Sequence, residues 1–390
     1  MPDETIIRIA AKGDGVTESG RHAPLTAPGD MLREDGGILP GPHRRVPPCR
    51  HFSTCGGCQL QQLDDASYAA FVHDRVSGAI AGQGLAAPVR APLVSAPHTR
   101  RRATLHAEKR GRQVRIGFTE TGSHQLVDLT ECHVLLPELF ALVTPLRRLL
   151  VTALRDAARI DVHLARIDQG VEVVIGGAVG GGLAAAEALT GFAQDHRLAR
   201  LAIDEGYGAE IRWEPQPATI TLGGVPVAFP PASFLQATAD GEAALVAAVR
   251  EAVGEPAATA DLFAGLGTFA LALPGKVYAA EAGRDTILAL KATGRVFAEH
   301  RDLFRRPLIP AELDRFDAVV LDPPRAGARE QVGQLAQART PRIAYVSCNP
   351  GSFARDAKLL VDGGYRLDWV QPVGQFTWST HVELAAAFSR

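Results

Sequence analysis

One cysteine lies apart from the other four and has the surroundings of a nucleophile. Cys348 follows the apolar run 343–346, which predicts a strand, and Asn349-Pro350 comes next, which predicts an exposed loop. A thiolate at the tip of a strand can add to an electron-poor carbon. The alternative interpretation is a small buried hydrophobe. The polar residues that follow favour the reactive interpretation.

Two carboxyl groups are expected to reach the same crevice as Cys348. Asp322 begins a rigid Asp-Pro-Pro-Arg loop after the apolar run 317–321, and such a loop is typical of methyltransferases that grip a planar base or amide. Glu383 begins an apolar run near the C-terminus and can act as a base. The alternatives are a proline-stiffened turn for Asp322 and a surface strand residue for Glu383. We predict that Cys348, Glu383 and Asp322 are catalytic.

A turn with two glycines predicts a cofactor site upstream of these residues. Gly265 and Gly267 lie in Asp-Leu-Phe-Ala-Gly-Leu-Gly-Thr-Phe, residues 261–269, where a first strand should meet its helix, and they allow a ligand to approach the backbone. Glu281 ends the next apolar run and is placed to accept hydrogen bonds from ribose hydroxyls. Asp302 follows a third candidate strand and is placed to meet an adenine. A nicotinamide dinucleotide would use a similar turn, so the turn alone does not identify the cofactor.

The other four cysteines have the spacing of a metal site. Cys49, Cys55 and Cys58 lie close together, and Cys132 follows after 73 intervening residues. Four thiolates can hold a [4Fe–4S] cluster or a tetrahedral zinc ion. Zinc more often uses paired C-x2-C units, and only one such pair is present, so the asymmetry favours iron–sulfur. An odd number of cysteines argues against a disulfide framework.

The elements that must position these residues fall into three segments. Residues 1–48 are rich in Gly and Pro and predict a small β segment or a loose arm. Residues 49–232 predict an α+β domain, with helices at 64–82 and 138–157. Residues 233–390 alternate strands and helices, which predicts a parallel sheet covered on both faces. The predicted strands of this sheet are 259–263, 277–280, 317–321 and 342–347.

Composition indicates an ordinary globular chain with one basic stretch. The chain has 390 residues and a net charge of −2, with no apolar run long enough to cross a bilayer. The N-terminus lacks a signal-peptide pattern, so we expect a cytoplasmic protein without a membrane partner.

Residues 98–115 carry seven Arg and Lys against one acid, which predicts contact with phosphates, the alternative being a solvated face. The oligomeric state is not determined by the sequence, and a monomer is the default. The predicted RNA contacts are Arg100, Arg101 and Arg102.

These segments together resemble the RNA uracil-C5 methyltransferase family, and within it the iron–sulfur enzymes that act on 23S ribosomal RNA. The resemblance covers nearly all of 49–390 and rests on three motifs, residues 347–350 (Ser-Cys-Asn-Pro), 322–325 (Asp-Pro-Pro-Arg) and 234–236 (Phe-Leu-Gln). It implies an α/β fold, with a class I, Rossmann-like methyltransferase domain at 233–390. An α+β iron–sulfur and RNA-binding domain at 49–232 would precede it, after a curtailed TRAM-like segment at 1–48.

The resemblance also implies a cofactor and a chemical role for each residue. Cys348 would add to C6 of a uridine in RNA, S-adenosylmethionine would methylate C5, and Glu383 would remove the C5 proton. The four clustered cysteines would hold a [4Fe–4S] cluster. Transfer RNA as the substrate, cytosine as the target and a non-catalytic RNA-binding assembly factor remain open alternatives. The residues expected to line the cofactor and uracil sites are Gln236, Phe263, Gly265, Gly267, Thr268, Glu281, Asp302 and Asp322.

The sequence departs from the family pattern at several of these places. The family usually has Asn where Thr238 and Thr268 stand. Its C-terminal motif reads D-x-F-P-x-T-x-H-x-E, and this chain keeps the His and the Glu. The positions that differ in this motif are Gly374, Thr377 and Ser379.

Overall fold

Residues 4–39 fold as a small sheet in the computed structural model, which describes residues 3–390. Five short strands pair in the order β3-β2-β1-β4-β5. Ile6, Ala23 and Leu32 pack together beneath them, so this Gly- and Pro-rich segment has an apolar cluster of its own. The strands are β1 Glu4–Ile9, β2 Gly15–Thr17, β3 His22–Ala23, β4 Met31–Leu32 and β5 Ile38–Leu39.

The segment after the clustered cysteines packs on the C-terminal domain. The helix predicted at 64–82 is α1, Asp65–Ala81, and the side chain of Asp64 caps it by accepting from the amide of Ser67 at 2.7 Å. Its apolar face belongs to the same core as the C-terminal strands. Strand β6, Leu93–Val94, pairs in parallel with residues 373–374. Residues 60–94 therefore contact the C-terminal domain although they precede the central sheet.

The central part of the chain forms a six-stranded sheet with helices on one side. The strand order is β12-β11-β10-β9-β7-β8. The single helix predicted at 138–157 is two helices, because Pro145 has no amide to continue the hydrogen-bond ladder. The strands are β7 Arg102–Arg110, β8 Gln113–Gly117, β9 Arg159–Ile167, β10 Gly170–Gly176, β11 Arg200–Asp204 and β12 Ala209–Trp213, the helices are α2 Pro137–Ala141, α3 Val143–Ala153 and α4 Leu183–Asp195, and the hairpin β13 Thr219–Leu222 and β14 Val225–Ala228 follows.

The C-terminal part contains the predicted parallel sheet, and all four predicted strands are confirmed. Eight strands pair in the order β17-β16-β15-β18-β19-β21-β20-β6, with β21 antiparallel to both of its neighbours. The strands are β15 Ala258–Leu262, β16 Lys276–Glu281, β17 Phe297–His300, β18 Ala318–Leu321, β19 Arg342–Ser347, β20 Arg366–Gly374 and β21 Glu383–Ser389, and the helices are α5 Ala239–Val253, α6 Arg284–Ala292, α7 Pro310–Leu313, α8 Arg329–Leu335 and α9 Pro350–Asp362.

The connection after the two-glycine turn differs from the prediction of a strand followed by a helix. A single 3-10 turn, Ala270–Ala272, stands between β15 and β16. Pro274 and Gly275 follow at once and end the turn before an α-helix can form. Elsewhere, no helix within residues 3–390 has both the length and the apolar character needed to cross a membrane.

Candidate active site at the carboxyl edge of the sheet

Five parallel strands end at one edge of the sheet, and the predicted site residues follow them. Leu262 of β15 lies between Ala280 of β16 and Leu321 of β18. The residues after these strands therefore meet at the same edge, where ligands bind in open α/β sheets. The predicted residues at this edge are Phe263, Glu281, Asp302, Asp322 and Cys348.

Strand pairing brings Cys348 beside Glu383. Ser347, the last residue of β19, lies opposite Leu384 in the antiparallel strand β21. Cys348 and Glu383 are the next residues on the two chain segments, so this register leads them toward each other. Burial raises the pKa of the half-buried Cys348 thiol to about 11, with Glu383 and Asp322 adding to the increase and Arg325 opposing it. The two predicted carboxyl groups therefore both act electrostatically on the predicted nucleophile.

Glu383 is buried in surroundings that hold its proton near neutral pH. Burial raises its pKa to about 7, while a hydrogen bond from the Gln375 side chain and the charge of Arg102 act in the opposite direction. Glu383 as a whole residue is 6% exposed. A carboxyl with a pKa near 7 can exchange a proton at physiological pH, which is the property that a general base needs.

The loop that carries Asp322 is fastened to the helix that follows Cys348. The amide of Ala328 donates to the carboxylate of Asp356 at 2.7 Å, and the Asn349 side chain donates to the carbonyl of Arg325 at 3.1 Å. Burial raises the pKa of Asp322 well above its usual range, and the charges of Glu383, Asp261 and Glu281 add to this effect. The raised pKa favours the protonated form of Asp322, and that form can act as a hydrogen-bond donor.

The two-glycine turn is held against the end of β16. The amides of Phe263 and Ala264 both donate to the carbonyl of Ala280, at 3.0 and 3.1 Å. Phe263 has a φ of 64°, a left-handed conformation that costs energy for a side chain of this size and is concentrated at functional sites. Glu281 accepts from the amide of Gly265 at 3.1 Å and thereby ties the second strand to the turn.

An aromatic pair lies beside this turn. The rings of Phe263 and Phe304 are 5.4 Å apart and tilted by 55°. Asp302 accepts from the amide of Phe304 at 3.0 Å, so its carboxylate helps to fix the loop that carries this exposed ring. The turn, Glu281 and Asp302 are thus brought together as predicted from the sequence. Thr268 is half-buried in the same turn.

A buried aspartate beneath the turn was not predicted. Asp261 is fully buried, and one of its carboxylate oxygens accepts from the amide of Ala270 at 2.8 Å. Its other oxygen has no hydrogen-bond partner within residues 3–390. Burial raises the pKa of Asp261 to about 7, and the charge of Glu281 adds to the rise. The signal in the sequence was an acid placed inside the otherwise apolar strand 259–263.

Gln236 is linked to a second glutamine that the sequence analysis did not single out. The Gln375 side chain donates from Nε2 to Oε1 of Gln236 at 2.8 Å and accepts from the amide of Ala237 at 2.9 Å. The next residue, Thr238, caps α5 by accepting from the amide of Gly241 at 3.1 Å. The sequence carried no clear signal for Gln375, because Gln371, Thr377 and Ser379 in the same segment are polar as well.

The three consecutive arginines point in different directions. Arg101 is buried and pairs with Glu242 at 2.5 Å, so its guanidinium is used inside the protein. The Arg102 guanidinium lies 4.3 Å from the ring centroid of the exposed Phe234. The Arg100 guanidinium lies between aromatic rings at 5.4 and 5.9 Å. Successive side chains point to opposite sides of an extended chain, so the three arginines at and before the start of β7 cannot share one surface.

The four clustered cysteines are neighbours in the fold. Burial raises the pKa of Cys58 to about 12, and the charges of Cys132, Cys55 and Cys49 add to the rise. None of the four forms a disulfide. Among residues 3–390, no group of three or more His, Cys, Asp or Glu side chains is arranged to hold a metal ion. The iron–sulfur cluster therefore stays a prediction.

Comparison with known proteins places the chain in a family. A family described as tRNA (Uracil-5-)-methyltransferase matches residues 287–390. An uncharacterised RNA methyltransferase of Zymomonas mobilis is 49% identical over 99% of both chains. A 23S rRNA (uracil(1939)-C(5))-methyltransferase, RlmD, of Aeromonas salmonicida is 30% identical over 90% of this chain and 84% of its own length.

A solved structure confirms the arrangement of the fold. A tRNA (uracil-54, C5)-methyltransferase of Pyrococcus abyssi, solved with S-adenosyl-L-homocysteine, superposes with a TM-score of 0.76 over 99% of this chain and all of that chain, at 22% identity. At 22% identity this structural likeness shows the fold alone. The 49% and 30% identities of the bacterial relatives show common descent. The chain therefore belongs to the RNA uracil-C5 methyltransferase family of enzymes.

Proposed function

We propose that this enzyme transfers a methyl group from S-adenosylmethionine to C5 of a uridine in RNA, with Cys348 as the nucleophile and Glu383 as the base. The observation that supports it most is the pairing of β19 with β21, whose register ends at Ser347 opposite Leu384 and leads directly into Cys348 and Glu383. A thiol and a carboxyl with a pKa near 7 on one face of a sheet suit addition followed by proton removal.

The proposed reaction balances with these groups. The Cys348 thiolate forms a bond to C6, and C5 takes the methyl group while the cofactor sulfur keeps the electron pair of the broken bond. Glu383 then removes the C5 proton, and the sulfur–C6 bond breaks as the ring double bond returns. Arg325 favours the thiolate, and a protonated Asp322 removes one negative charge from its vicinity. As a donor, Asp322 would also hold a carbonyl of the base.

The proposed cofactor site is the two-glycine turn with Phe263, Thr268, Glu281 and Asp302. S-adenosylmethionine supplies an electrophilic methyl group when bound. A side chain added at Gly265 would meet nothing within 4 Å, so the backbone is open to a ligand there. The half-buried Phe263 and exposed Phe304 rings offer an apolar edge for an adenine, and Gln236 would complete the site beside the base.

The four clustered cysteines are proposed to hold a [4Fe–4S] cluster. Their mutual effects on pKa place the thiols within electrostatic range of one another. A [4Fe–4S] cubane takes one thiolate at each of its four irons, which matches the number of thiols in this group. Anaerobic purification followed by iron, sulfide and zinc analysis tests the assignment, and stoichiometric zinc without iron would refute it.

We propose 23S ribosomal RNA as the substrate. The RlmD relative supports it because the alignment covers most of both chains, and the cysteine cluster resembles the iron–sulfur enzymes of the family. Transfer RNA is the second candidate, since the fold neighbour of Pyrococcus abyssi acts on tRNA. Nucleoside mass spectrometry with site mapping, on RNA from cells lacking this protein, distinguishes them by the position that loses 5-methyluridine.

A basic surface around strand β8 is proposed to contact the RNA backbone. One cleft beside it is lined by Arg110, Arg115, Arg159 and His124, and Arg112, Arg147 and Arg148 line a second. Glu108 and Asp128 pair with Arg110 and Arg147. The remaining basic residues of the two clefts are exposed and have no ion-pair partner within residues 3–390, so phosphates can neutralise them. They are Arg112, Arg115, His124, Arg148 and Arg159. Arg100 and Arg102 stay proposed contacts nearer the catalytic crevice.

Substitution of the nucleophile tests the mechanism. We expect Cys348→Ala to bind RNA and cofactor but to form no 5-methyluridine from methyl-labelled S-adenosylmethionine. RNA containing 5-fluorouridine should form a covalent complex with the unsubstituted enzyme, because fluorine at C5 cannot leave as a proton does, and none with the variant. Full activity of Cys348→Ala would overturn the proposed role of Cys348.

A further inference from the structure

A buried amide connects the proposed base with the loop that precedes helix α5. Gln375 is 1% exposed and lies just beyond strand β20. Its side chain hydrogen-bonds the amide of Ala237 and the side chain of Gln236. It follows Val373, which pairs with Glu383 across β20 and β21, by two residues, and its amide acts on the carboxyl of Glu383. One side chain thus reaches both the segment expected to contact the base and the group expected to take the proton.

The orientation of this amide is determined by its partners. A backbone N–H can only donate, so the atom of Gln375 that faces Ala237 at 2.9 Å must be the carbonyl oxygen Oε1. The NH2 group then faces the other way, toward Oε1 of Gln236 at 2.8 Å and toward Glu383. The carboxyl therefore faces a donor group, which favours its ionised form over its protonated form.

Packing leaves little freedom to this side chain. A Cβ added at Gly241, in the first turn of α5, would lie 2.7 Å from Cβ and 3.1 Å from Oε1 of Gln375. A glycine is therefore needed at position 241 for the amide to take its place. Two positions where the chain departs from the family pattern lie beside this contact, since Thr238 caps α5 and Gly374 directly precedes Gln375.

We propose that Gln375 is a positioning residue, which holds the carboxyl of Glu383 toward the substrate and ties it to Gln236. The inference rests on the proposed role of Glu383. The other charged or titratable groups that act on this corner are Arg102 from β7, Asp322 after β18 and Cys348 after β19, with Arg325 facing the thiol. Of these groups only Arg102, like Gln375, favours the ionised form of Glu383.

The test compares two glutamines of one segment in the full-length enzyme. Gln375→Met removes the donor at nearly constant volume. Gln371→Met is the matched control. Gln371 lies in β20 and is buried like Gln375, but its side chain donates to the carbonyl of Ala91 at 2.8 Å. Both variants are assayed for 5-methyluridine formation as a function of pH, and for covalent complex formation with 5-fluorouridine RNA, which does not need the base.

For Gln375→Met we expect kcat at pH 7 to fall about 10- to 100-fold, the effect of losing one hydrogen bond to a charged group. The acidic limb of the pH profile should move to higher pH, because loss of the donor raises the pKa of Glu383. Covalent complex formation should stay within about twofold. Gln371→Met should leave both properties unchanged. Gly241→Ala, which crowds the amide and favours the helix, should shift the limb in the same direction.

Three results are distinguishable. If Gln375→Met matches Gln371→Met in kcat and in the acidic limb, Gln375 does not position Glu383. If covalent complex formation falls in parallel with turnover, Gln375 supports the whole site, and the specific inference is also wrong. If the unsubstituted enzyme forms neither 5-methyluridine nor a covalent complex, the proposed function fails instead. Should Gln375→Met not fold, an unmoved acidic limb in Gly241→Ala overturns the inference.

Discussion

The proposed nucleophile lies in surroundings that oppose its ionisation. The pKa of Cys348 is raised to about 11 by burial, with Glu383 and Asp322 adding to it. Such a thiol is almost entirely protonated at neutral pH, and a protonated thiol is a poor nucleophile. The pKa values of Glu383 and Asp322 are themselves raised. Their combined negative charge near the thiolate is therefore smaller at pH 7 than that of two fully ionised carboxylates. We therefore expect the Cys348 thiol of the free enzyme to react slowly with electrophiles.

The same reasoning gives a prediction for Asp261. Its raised pKa of about 7 means that the folded state holds the proton more tightly than the unfolded chain, where the pKa is near 3.8. The free energy of unfolding therefore falls as pH rises between about 4 and about 7. We expect Asp261→Asn, which keeps an acceptor for the amide of Ala270, to be more stable than the wild type at pH 8 by about 1–3 kcal/mol.

Urea unfolding at pH 5 and pH 8 measures this difference. The advantage of Asp261→Asn should shrink or reverse at pH 5, where the wild-type carboxyl is protonated and neutral. Asp261→Ala is the control, because it removes the acceptor as well and should be destabilised at both pH values. Equal stability of Asp261→Asn and the wild type at both pH values would show that Asp261 is not a strained buried acid.

At the scale of elements, the sequence predicted what periodicity and apolar runs control. The four strands of the C-terminal sheet and helix α1 were predicted within a few residues, because their burial is continuous or has a helical period. The packing of residues 60–94 on this sheet was not predicted. Strand β6 joins the sheet through a two-residue pairing with β20, which no local pattern signals. Arg101 was expected beside Arg100 and Arg102, but alternation along a strand turns it inward.

The loop before Glu383 gives a prediction at the same scale. The amides of Gln59 and Leu60 both donate to the carbonyl of Trp378 at 2.9 Å, and the hydroxyl of Tyr68 donates to the carbonyl of Phe376 at 3.0 Å. The cysteine segment and α1 thus hold residues 375–381 in place. We expect Tyr68→Phe to lower the free energy of unfolding by about 1 kcal/mol and also to lower kcat.

A second buried tyrosine provides the matched control for this loop. Tyr365 donates to the carbonyl of Thr340 at 2.7 Å, at the edge of the sheet where β19 begins and opposite the active site. Tyr365→Phe should cost about the same stability while leaving kcat unchanged. Denaturant unfolding and single-turnover methylation separate the two effects. Equal kcat in both variants would show that the Tyr68 hydroxyl does not position the loop.

At the scale of the whole molecule, charge is distributed unevenly although its sum is small. The net charge of −2 by itself argues against a general nucleic-acid binder. The fold nevertheless collects arginines from the hairpin of β7 and β8, from α3 and from the start of β9 around two clefts. These residues are up to 49 positions apart in the sequence. The sequence analysis found only the part carried by residues 98–115, since the rest comes together through tertiary packing.

Salt dependence of RNA binding tests this surface. Each phosphate contact contributes about 0.7–0.9 to the slope of log K against log salt. We expect the double variant Arg112→Gln, Arg115→Gln to bind ribosomal RNA more weakly at 0.1 M salt and to reduce the slope by about 1–2. Arg315→Gln, Arg339→Gln is the matched control, because both residues are exposed and precede β18 and β19, at the edge of the sheet away from Cys348.

Filter binding from 50 to 300 mM salt (roughly the range over which such contacts are screened) measures both slopes. Because the two double variants remove the same net charge, equal slopes would mean that only overall charge matters, whereas a change confined to the first pair would place the RNA backbone beside β8.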